Sequence, residues 1–430
     1  MGGLSKVGTQ MSRMSGLRSL MEDVASAMAS TAGAKWLNLS IGNPAAIPEV
    51  TQMWRDAASR AITDDFSDAV AYGPSRGAPA LVKAIADYFR RHLGWNIGPE
   101  NIVVGPGSQM LCFAAAALYA GEDGSGARRV GLPSIPDYTG YQAICMVPGG
   151  VAGVESGWRA GEGRTFHYEL DLDAMARRTD VGMMLLSSPC NPTGRSLRVD
   201  EQEALIAIAE RMDVPLFLDH AYGRPFPRIG PTFALPVLDP HVVNCFSLSK
   251  AGMPGERVGF AVGPEQYITP LVSFLSNSVL HASGLAQAMA ARALSSGALD
   301  EVVASAIQPF YAERRTLTEQ LLLDAMPADV NWRLHANEGG MFGWLWIDEA
   351  WFNDVDLYDE LKKRNVFIAP GRSFFSAPSE ADRHSTQCFR ITLTVHEEDL
   401  REGIRRIGAA VAEAKAAARG FTGTRPALSR

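Results

Sequence analysis

The sequence predicts an α/β protein, a mostly parallel sheet flanked by helices, with a smaller α+β unit in the C-terminal third. Three observations predict it. From about residue 80, short apolar runs that end in turn or polar residues alternate with helical segments, the pattern of strands joined by crossover helices. After about residue 285 the texture changes to a long helical stretch followed by a few strands, one with clear period-2 alternation. At 430 residues the chain is also too long for one ordinary domain.

The elements follow in order. Residues 1–35 read as a short amphipathic entry, with MSGLRSLMEDVASAMA at its centre. ALVKAIADYFRRHLG, residues 80–94, reads as a helix, and NIVVGPGSQMLCFAAAALYAG as a strand, a Gly-rich turn and a helix. The runs RRVGLPS, GVAGVES, VGMMLLSSP and PLFLDHAYG read as strands, with the helix EQEALIAIAERMD between the last two; VVNCFSLS and VGFAVG close the series. Helix is then expected from LAQAMAARALSSG to about residue 326. GMFGWLWID, NVFIAPG and QCFRITLTV are the later strands, and EEDLREGIRRIGAAVAEAKAAAR is a final amphipathic helix. The expected organisation is an N-terminal segment, 1–60, that joins the smaller unit and dimer contacts. A large unit, 61–300, a small unit, 301–418, and a disordered tail, 419–430, complete it.

Composition excludes several functions. A net charge of −7 argues against a nucleic-acid binder. The five cysteines (Cys112, Cys145, Cys190, Cys245, Cys388) form no C-x-x-C, and no H-E-x-x-H occurs, so a metal site has no support. Neither an apolar run of about 18 residues nor a basic-then-apolar leader pattern is present, so a cytoplasmic protein with reduced thiols is expected. No G-x-G-x-x-G follows a strand, which leaves a nicotinamide-dependent dehydrogenase without its fingerprint.

Ligands of open α/β sheets bind beyond the carboxyl ends of the strands, so the residues after each apolar run matter most. GPGSQ, residues 105–109, offers Gly107, Ser108 and Gln109 ahead of a helix, a backbone anion site. Taken alone it reads sooner as a plain turn with an N-cap serine, since short glycine turns are common. Asn191 stands where a strand ends. Asp219 closes an apolar run, so its carboxylate is expected to be buried with a partner; a helix N-cap is the competing reading. Tyr222 follows in the same turn. Lys250, one of only seven lysines, sits between small and apolar neighbours, where burial would depress its pKa and make the amine a nucleophile. Ser247 and Arg257 flank it with a hydroxyl and a fixed cation suited to a phosphate. A buried acid for a pyridine nitrogen, an amine for a Schiff base and a phosphate clamp together suit pyridoxal 5′-phosphate.

With these residues placed, the chain resembles the fold-type I pyridoxal-phosphate aminotransferases, the aspartate aminotransferase superfamily. The motifs are NPTG at 191–194, DHAY at 219–222, SLSK at 247–250 with PGERVG at 254–259, and FRI at 389–391. GLRSLMED, GNPAAIPE, LGWNI, PDYTGY, AYGRPFP, SLSKAGMPG, PFYAERR, GWLW and HSTQCFRI add a resemblance to the valine–pyruvate branch. The resemblance implies that Lys250 is the Schiff-base lysine and moves the Cα proton, with Asp219 on the pyridinium nitrogen. It implies that Tyr222 and Asn191 bond the ring hydroxyl, and that Tyr138 stacks on the ring. Ser108, Ser247, Arg257 and the N–H groups from Gly107 to Gln109 would hold the phosphate. Arg390 would grip the substrate carboxylate with Gly42, Asn43 and Asn191, and Tyr72 would reach the phosphate of a neighbouring subunit in a homodimer. His220 reads as structural rather than catalytic, Trp344 and Trp346 as core, and Arg372 and Arg18 as open candidates for the side-chain pocket.

The resemblance implies amino transfer between a small neutral amino acid, valine or alanine, and a 2-oxo acid such as pyruvate. A biosynthetic enzyme of the same fold, using oxidation, elimination, cyclisation or transamination of a larger or basic amino acid, is the alternative. A regulator built on the same fold is more remote, because the first 35 residues carry no basic helix-turn-helix pattern.

Overall fold

The computed structural model describes residues 3–12, 16–30, 33–122, 126–376 and 383–422. Two sheets organise it. The larger runs, in spatial order, Ile102–Gly105, Gly259–Val262, Val242–Ser247, Leu216–Asp219, Val181–Ser187, Ala127–Ile135 and Gly121–Glu122, with Val151–Glu155 also paired to Ala127–Ile135. The strands from Val151–Glu155 to Val242–Ser247 pair in parallel. Gly259–Val262 is antiparallel to both neighbours.

Alternation along each strand sorts side chains to opposite faces. Phe217, Leu185 and Val243 pack with Leu111 and Cys112 of the helix Ser108–Tyr119. Leu216, Leu218 and Leu186, one position out of step, pack with Leu205 and Ile208 of the helix Val199–Met212. Val104, Phe246 and Phe260 meet the helices Pro79–Leu93 and Gly284–Ser296. Helices therefore cover both faces, as a parallel sheet requires. The helix Pro79–Leu93 stops where expected, at Gly94 with φ 68°, a left-handed cap that glycine adopts without a Cβ penalty.

The second sheet runs Ala369–Pro370, Cys388–Thr392, Phe342–Ile347, Trp332–His335, Thr165–Glu169 and Gly157–Ala160. Its last two strands correct the sequence reading, which puts all of 61–300 in the larger unit. The hairpin 157–169 instead pairs in parallel with Trp332–His335, Leu334 opposite Thr165. NVFIAPG is also not one strand. Val366–Phe367 pairs with Leu37–Asn38, whereas Ala369–Pro370 pairs with Cys388–Thr392. The long helical stretch breaks at Gly297, φ 78°, and passes through a π turn, Val303–Ile307, before Gln308–Ala325. Pro309 has no N–H to return to the preceding turn, so the bonding pattern changes there.

The final helix, Glu397–Thr422, runs four residues into the segment expected to be a disordered tail; residues 423–430 lie outside the described residues. The N-terminal helix Gly16–Ser30 is anchored by Asp23, which accepts from Lys362 Nζ at 2.6 Å and the Tyr358 hydroxyl at 2.5 Å. Among the described residues no helix is long and apolar enough to cross a membrane.

Candidate active site

A cavity of about 570 Å³ lies beyond the carboxyl ends of Val181–Ser187, Leu216–Asp219 and Val242–Ser247, with the helix Gly16–Ser30 on its far side. Twelve of the fourteen predicted residues line it: Gly42, Asn43, Ser108, Gln109, Tyr138, Asn191, Asp219, Tyr222, Ser247, Lys250, Arg257 and Arg390.

Asp219 forms the floor. Register sets its place: it ends its strand between Ser187 and Cys245. Its Oδ2 accepts from the Tyr141 hydroxyl at 2.9 Å and its Oδ1 from the Ala221 N–H at 3.1 Å. Both donors are neutral, and burial pushes the carboxyl up to about 6 against the pull of those bonds.

Lys250 sits in the turn after Val242–Ser247. The turn is pinned by Trp54, whose indole N–H donates to Ala251 O at 2.7 Å. Gly252 lies against that indole with φ 107°, and a Cβ there would come within 2.9 Å of the indole nitrogen, so glycine is required on two counts. Lys250 Nζ donates to Gly42 O at 2.7 Å. Burial first, then the Arg390 and Arg257 charges, bring the amine down to about 8.

One end of the cavity gathers the hydroxyls of Ser108, Ser247 and Ser249 with Arg257. This arginine has φ 54°, a left-handed backbone, and donates from Nη1 to Ser249 Oγ and Pro254 O, each at 3.0 Å. It has no carboxylate partner among the described residues. A Cβ on Gly107, φ 85°, would fall 2.4 Å from Arg257 Nη2, so the guanidinium reaches the start of the helix Ser108–Tyr119 only because that residue is glycine. The first N–H groups of that helix have no preceding carbonyl to bond.

At the other end Arg390 is 1% exposed. Its Nη1 donates to Asn191 Oδ1 at 2.8 Å and its Nη2 to Ser40 O at 2.7 Å, and its Nε has no partner among the described residues. The guanidinium lies 3.9 Å from the Phe342 ring centroid. Among the described residues no carboxylate neutralises it, and burial lowers it to about 10. Asn191 Nδ2 donates to the Tyr222 hydroxyl at 3.4 Å, so one amide connects the two ends. Burial raises Tyr222 and Tyr138, keeping both phenols protonated.

Gly107 stands behind the lining rather than in it. Tyr72 is not brought to the cavity: it is 89% exposed and edge-on to His281. His220 stacks on Phe246 and faces Asn244 Oδ1 at 3.0 Å, away from the cavity; burial lowers it to about 4. Arg372 is committed to the buried Asp354, and Trp344 and Trp346 lie in the core. Sequence reasoning misses Ser249, Tyr141 and Ser40. Ser249 is legible as the second serine of SLSK and Tyr141 as the second tyrosine of PDYTGY. Ser40 acts through its carbonyl, which no residue type betrays.

A buried acid with neutral partners at the floor, hydroxyls and an uncommitted arginine at one end, and a lowered lysine between them fit pyridoxal phosphate. The comparisons agree. The family description "Aminotransferase class I and II" matches residues 34–407. The valine–pyruvate aminotransferase of Escherichia coli (strain K12) is 31% identical over 404 residues, 93% of this chain and 96% of that protein. The crystal structure of valine–pyruvate aminotransferase AvtA from Salmonella typhimurium LT2 superposes with a TM-score of 0.83 at 26% identity, covering 93% of this chain and 100% of that one. A protein provisionally named an amino-acid aminotransferase, from Psychrobacter arcticum 273-4, superposes with a TM-score of 0.91 at 29% identity, covering 97% and 100%. The chain belongs to the class I and II aminotransferases. It is a pyridoxal-phosphate-dependent transaminase.

Proposed function

We propose that the enzyme moves the amino group between a small neutral L-amino acid of the valine or alanine type and a 2-oxo acid such as pyruvate. One observation carries the substrate reading. Arg390, buried and without a carboxylate, shares the cavity with an apolar wall of Leu20, Met21, Val24, Ala25, Met28 and Ile41. Asp219 is the only acidic residue among the described residues of the lining, and it belongs to the cofactor. A basic side chain would find no acid there. A dicarboxylate would find no second free guanidinium, since Arg257 serves the phosphate. The likeness to valine–pyruvate aminotransferases supports the same choice.

Pyridoxal phosphate, when bound, supplies an aldehyde that condenses with amines and a ring that accepts the electron pair left at the substrate Cα. Asp219 would hold a proton on the ring nitrogen. Tyr222 and Asn191 would bond the ring hydroxyl, and Tyr138 would stack on the ring. Ser108, Ser247, Ser249, Arg257 and the N–H groups from Gly107 to Gln109 grip the phosphate. Tyr72, pointing outward from its own cavity, serves that of a second copy in a homodimer. Arg390 takes the substrate carboxylate through two parallel donors, helped by Gly42, Asn43 and Asn191. Lys250, its amine lowered to about 8, has a usable neutral fraction near neutrality and moves the Cα proton.

The test is single-turnover amino transfer with separate amino acids, products identified by mass spectrometry. Valine or alanine should yield its 2-oxo acid and leave the enzyme aminated, and pyruvate should then remove the amino group. Preference for a basic or dicarboxylic amino acid, or a product other than the 2-oxo acid, would overturn the reading.

A further inference from the structure

Tyr141 is a buried group that the mechanism above does not use. It lies in the 3₁₀ turn Thr139–Ala143, wholly buried, its ring edge-on to Tyr138 at 5.2 Å. Its N–H returns to Tyr138 O at 2.9 Å, so the two tyrosines are held as one unit. A phenylalanine would fill the same space. A buried hydroxyl needs a bond to offset its lost hydration, and this one's acceptor is Asp219 Oδ2 at 2.9 Å. With the Ala221 N–H on Oδ1, each carboxylate oxygen has a donor, and the Ser108 hydroxyl adds a weaker pull on the same acid. The other ionisable groups whose charge bears on Asp219 or answers to it are Lys250, Tyr138, Tyr222 and Cys112.

We propose that Tyr141 is a positioning residue for amino transfer: its hydroxyl fixes the orientation of the Asp219 carboxylate and keeps it ionised toward the ring nitrogen. The inference rests on the assignment of Asp219 to that nitrogen. The proton between the two groups stays on nitrogen while the carboxylate is stabilised and moves to oxygen when it is not. Loss of a hydrogen bond to a charged group raises the acid's pKa by about one to two units, enough to shift that balance. Of the factors that hold Asp219 down, the Tyr141 bond is the largest.

The experiment compares wild type, Tyr141→Phe and Asp219→Asn, each loaded with cofactor labelled with ¹⁵N in the ring, by ¹⁵N NMR. Tyr141→Phe should move the ring-nitrogen shift toward that of neutral pyridine and lower kcat about 10- to 100-fold with KM for the amino acid unchanged. A wild-type shift in Tyr141→Phe, with Asp219→Asn displaced, would overturn the role of Tyr141 and leave that of Asp219 standing. A wild-type shift in Asp219→Asn would overturn the assignment beneath it. Fluorotyrosine at position 141 keeps the ring and makes the hydroxyl a stronger donor, so it should move the shift the opposite way from phenylalanine. Movement in the same direction, or none, would overturn the proposal even if Tyr141→Phe folds poorly.

Discussion

Two buried arginines sit on either side of the NPTG turn, and their surroundings differ in one respect. Arg195 ends the turn at 6% exposure, with Nη2 on the buried Glu201 carboxylate and Nε on Tyr168 O at 3.0 Å. Arg390 approaches the start of the turn, through Asn191, at 1% exposure, and meets only carbonyl oxygens, an amide and aromatic faces among the described residues. Burying a charge without a counter-charge costs several kcal/mol, so Arg195 is a settled structural ion pair and Arg390 an unsettled one. A buried cation left short of its anion points to an anion that arrives later.

Substitutions can break or sharpen that contrast. The largest effect is expected at a third basic residue of the site, the half-buried Lys250. Lys250→Ala should lower amino transfer by at least about 10⁴-fold while circular dichroism stays native; retained transfer, followed by mass spectrometry, would remove Lys250 from the mechanism. Next comes Arg195→Ala, which strands Glu201. Because Arg198 also reaches Glu201 at 2.9 Å, the loss should fall near the lower end for a broken buried pair, about 3 kcal/mol by denaturant titration, with kcat/KM per folded molecule nearly unchanged. Arg390→Lys should do the reverse: stability within about 1 kcal/mol, and a roughly 10- to 100-fold rise in KM for the amino acid, because an ammonium cannot offer two parallel donors. Equal effects of the two arginine changes on stability would erase the distinction.

The smallest effect is a titration. In cofactor-free protein, amine acylation mapped by mass spectrometry should show Lys250 reacting with a midpoint near pH 8, below that of an ordinary lysine, near 10.4. The sign for stability follows. Between those two pH values the unfolded chain keeps a proton that the folded one has lost, so Lys250 makes stability rise with pH across the window. Lys250→Ala should flatten that part of the curve.

Much of this arrangement is legible in the sequence, because strand ends are. A residue after a buried apolar run must face the carboxyl edge of the sheet, and that rule alone places Asp219, Asn191 and Lys250 at one mouth. Long-range pairing is not legible. Nothing local in Thr165–Glu169 reveals that its partner lies near residue 334, so sequence reasoning reads no hairpin at 157–169 and leaves that stretch inside the larger unit. Tyr141 escapes for a different reason. In a 3₁₀ turn residues three apart share a side, so Tyr138 and Tyr141 approach the site together, but only the first reads as a stacking residue. Ser249 lies beside the predicted Lys250 and needs only the turn geometry of 249–251 to face Arg257.

The hairpin 157–169 also bears on how this protein could be divided. Its chain leaves the larger sheet after Val151–Glu155, adds two strands to the smaller one, and returns to the larger at Val181–Ser187. A cut near residue 300 would therefore strip Trp332–His335 of a neighbour on the C-terminal fragment and leave the hairpin an orphan on the other, each with an open sheet edge prone to self-association. The two halves are interlaced rather than modular, so fragments expressed apart should aggregate unless they are folded together, and exchanging C-terminal halves between relatives would succeed only if the hairpin travels with them.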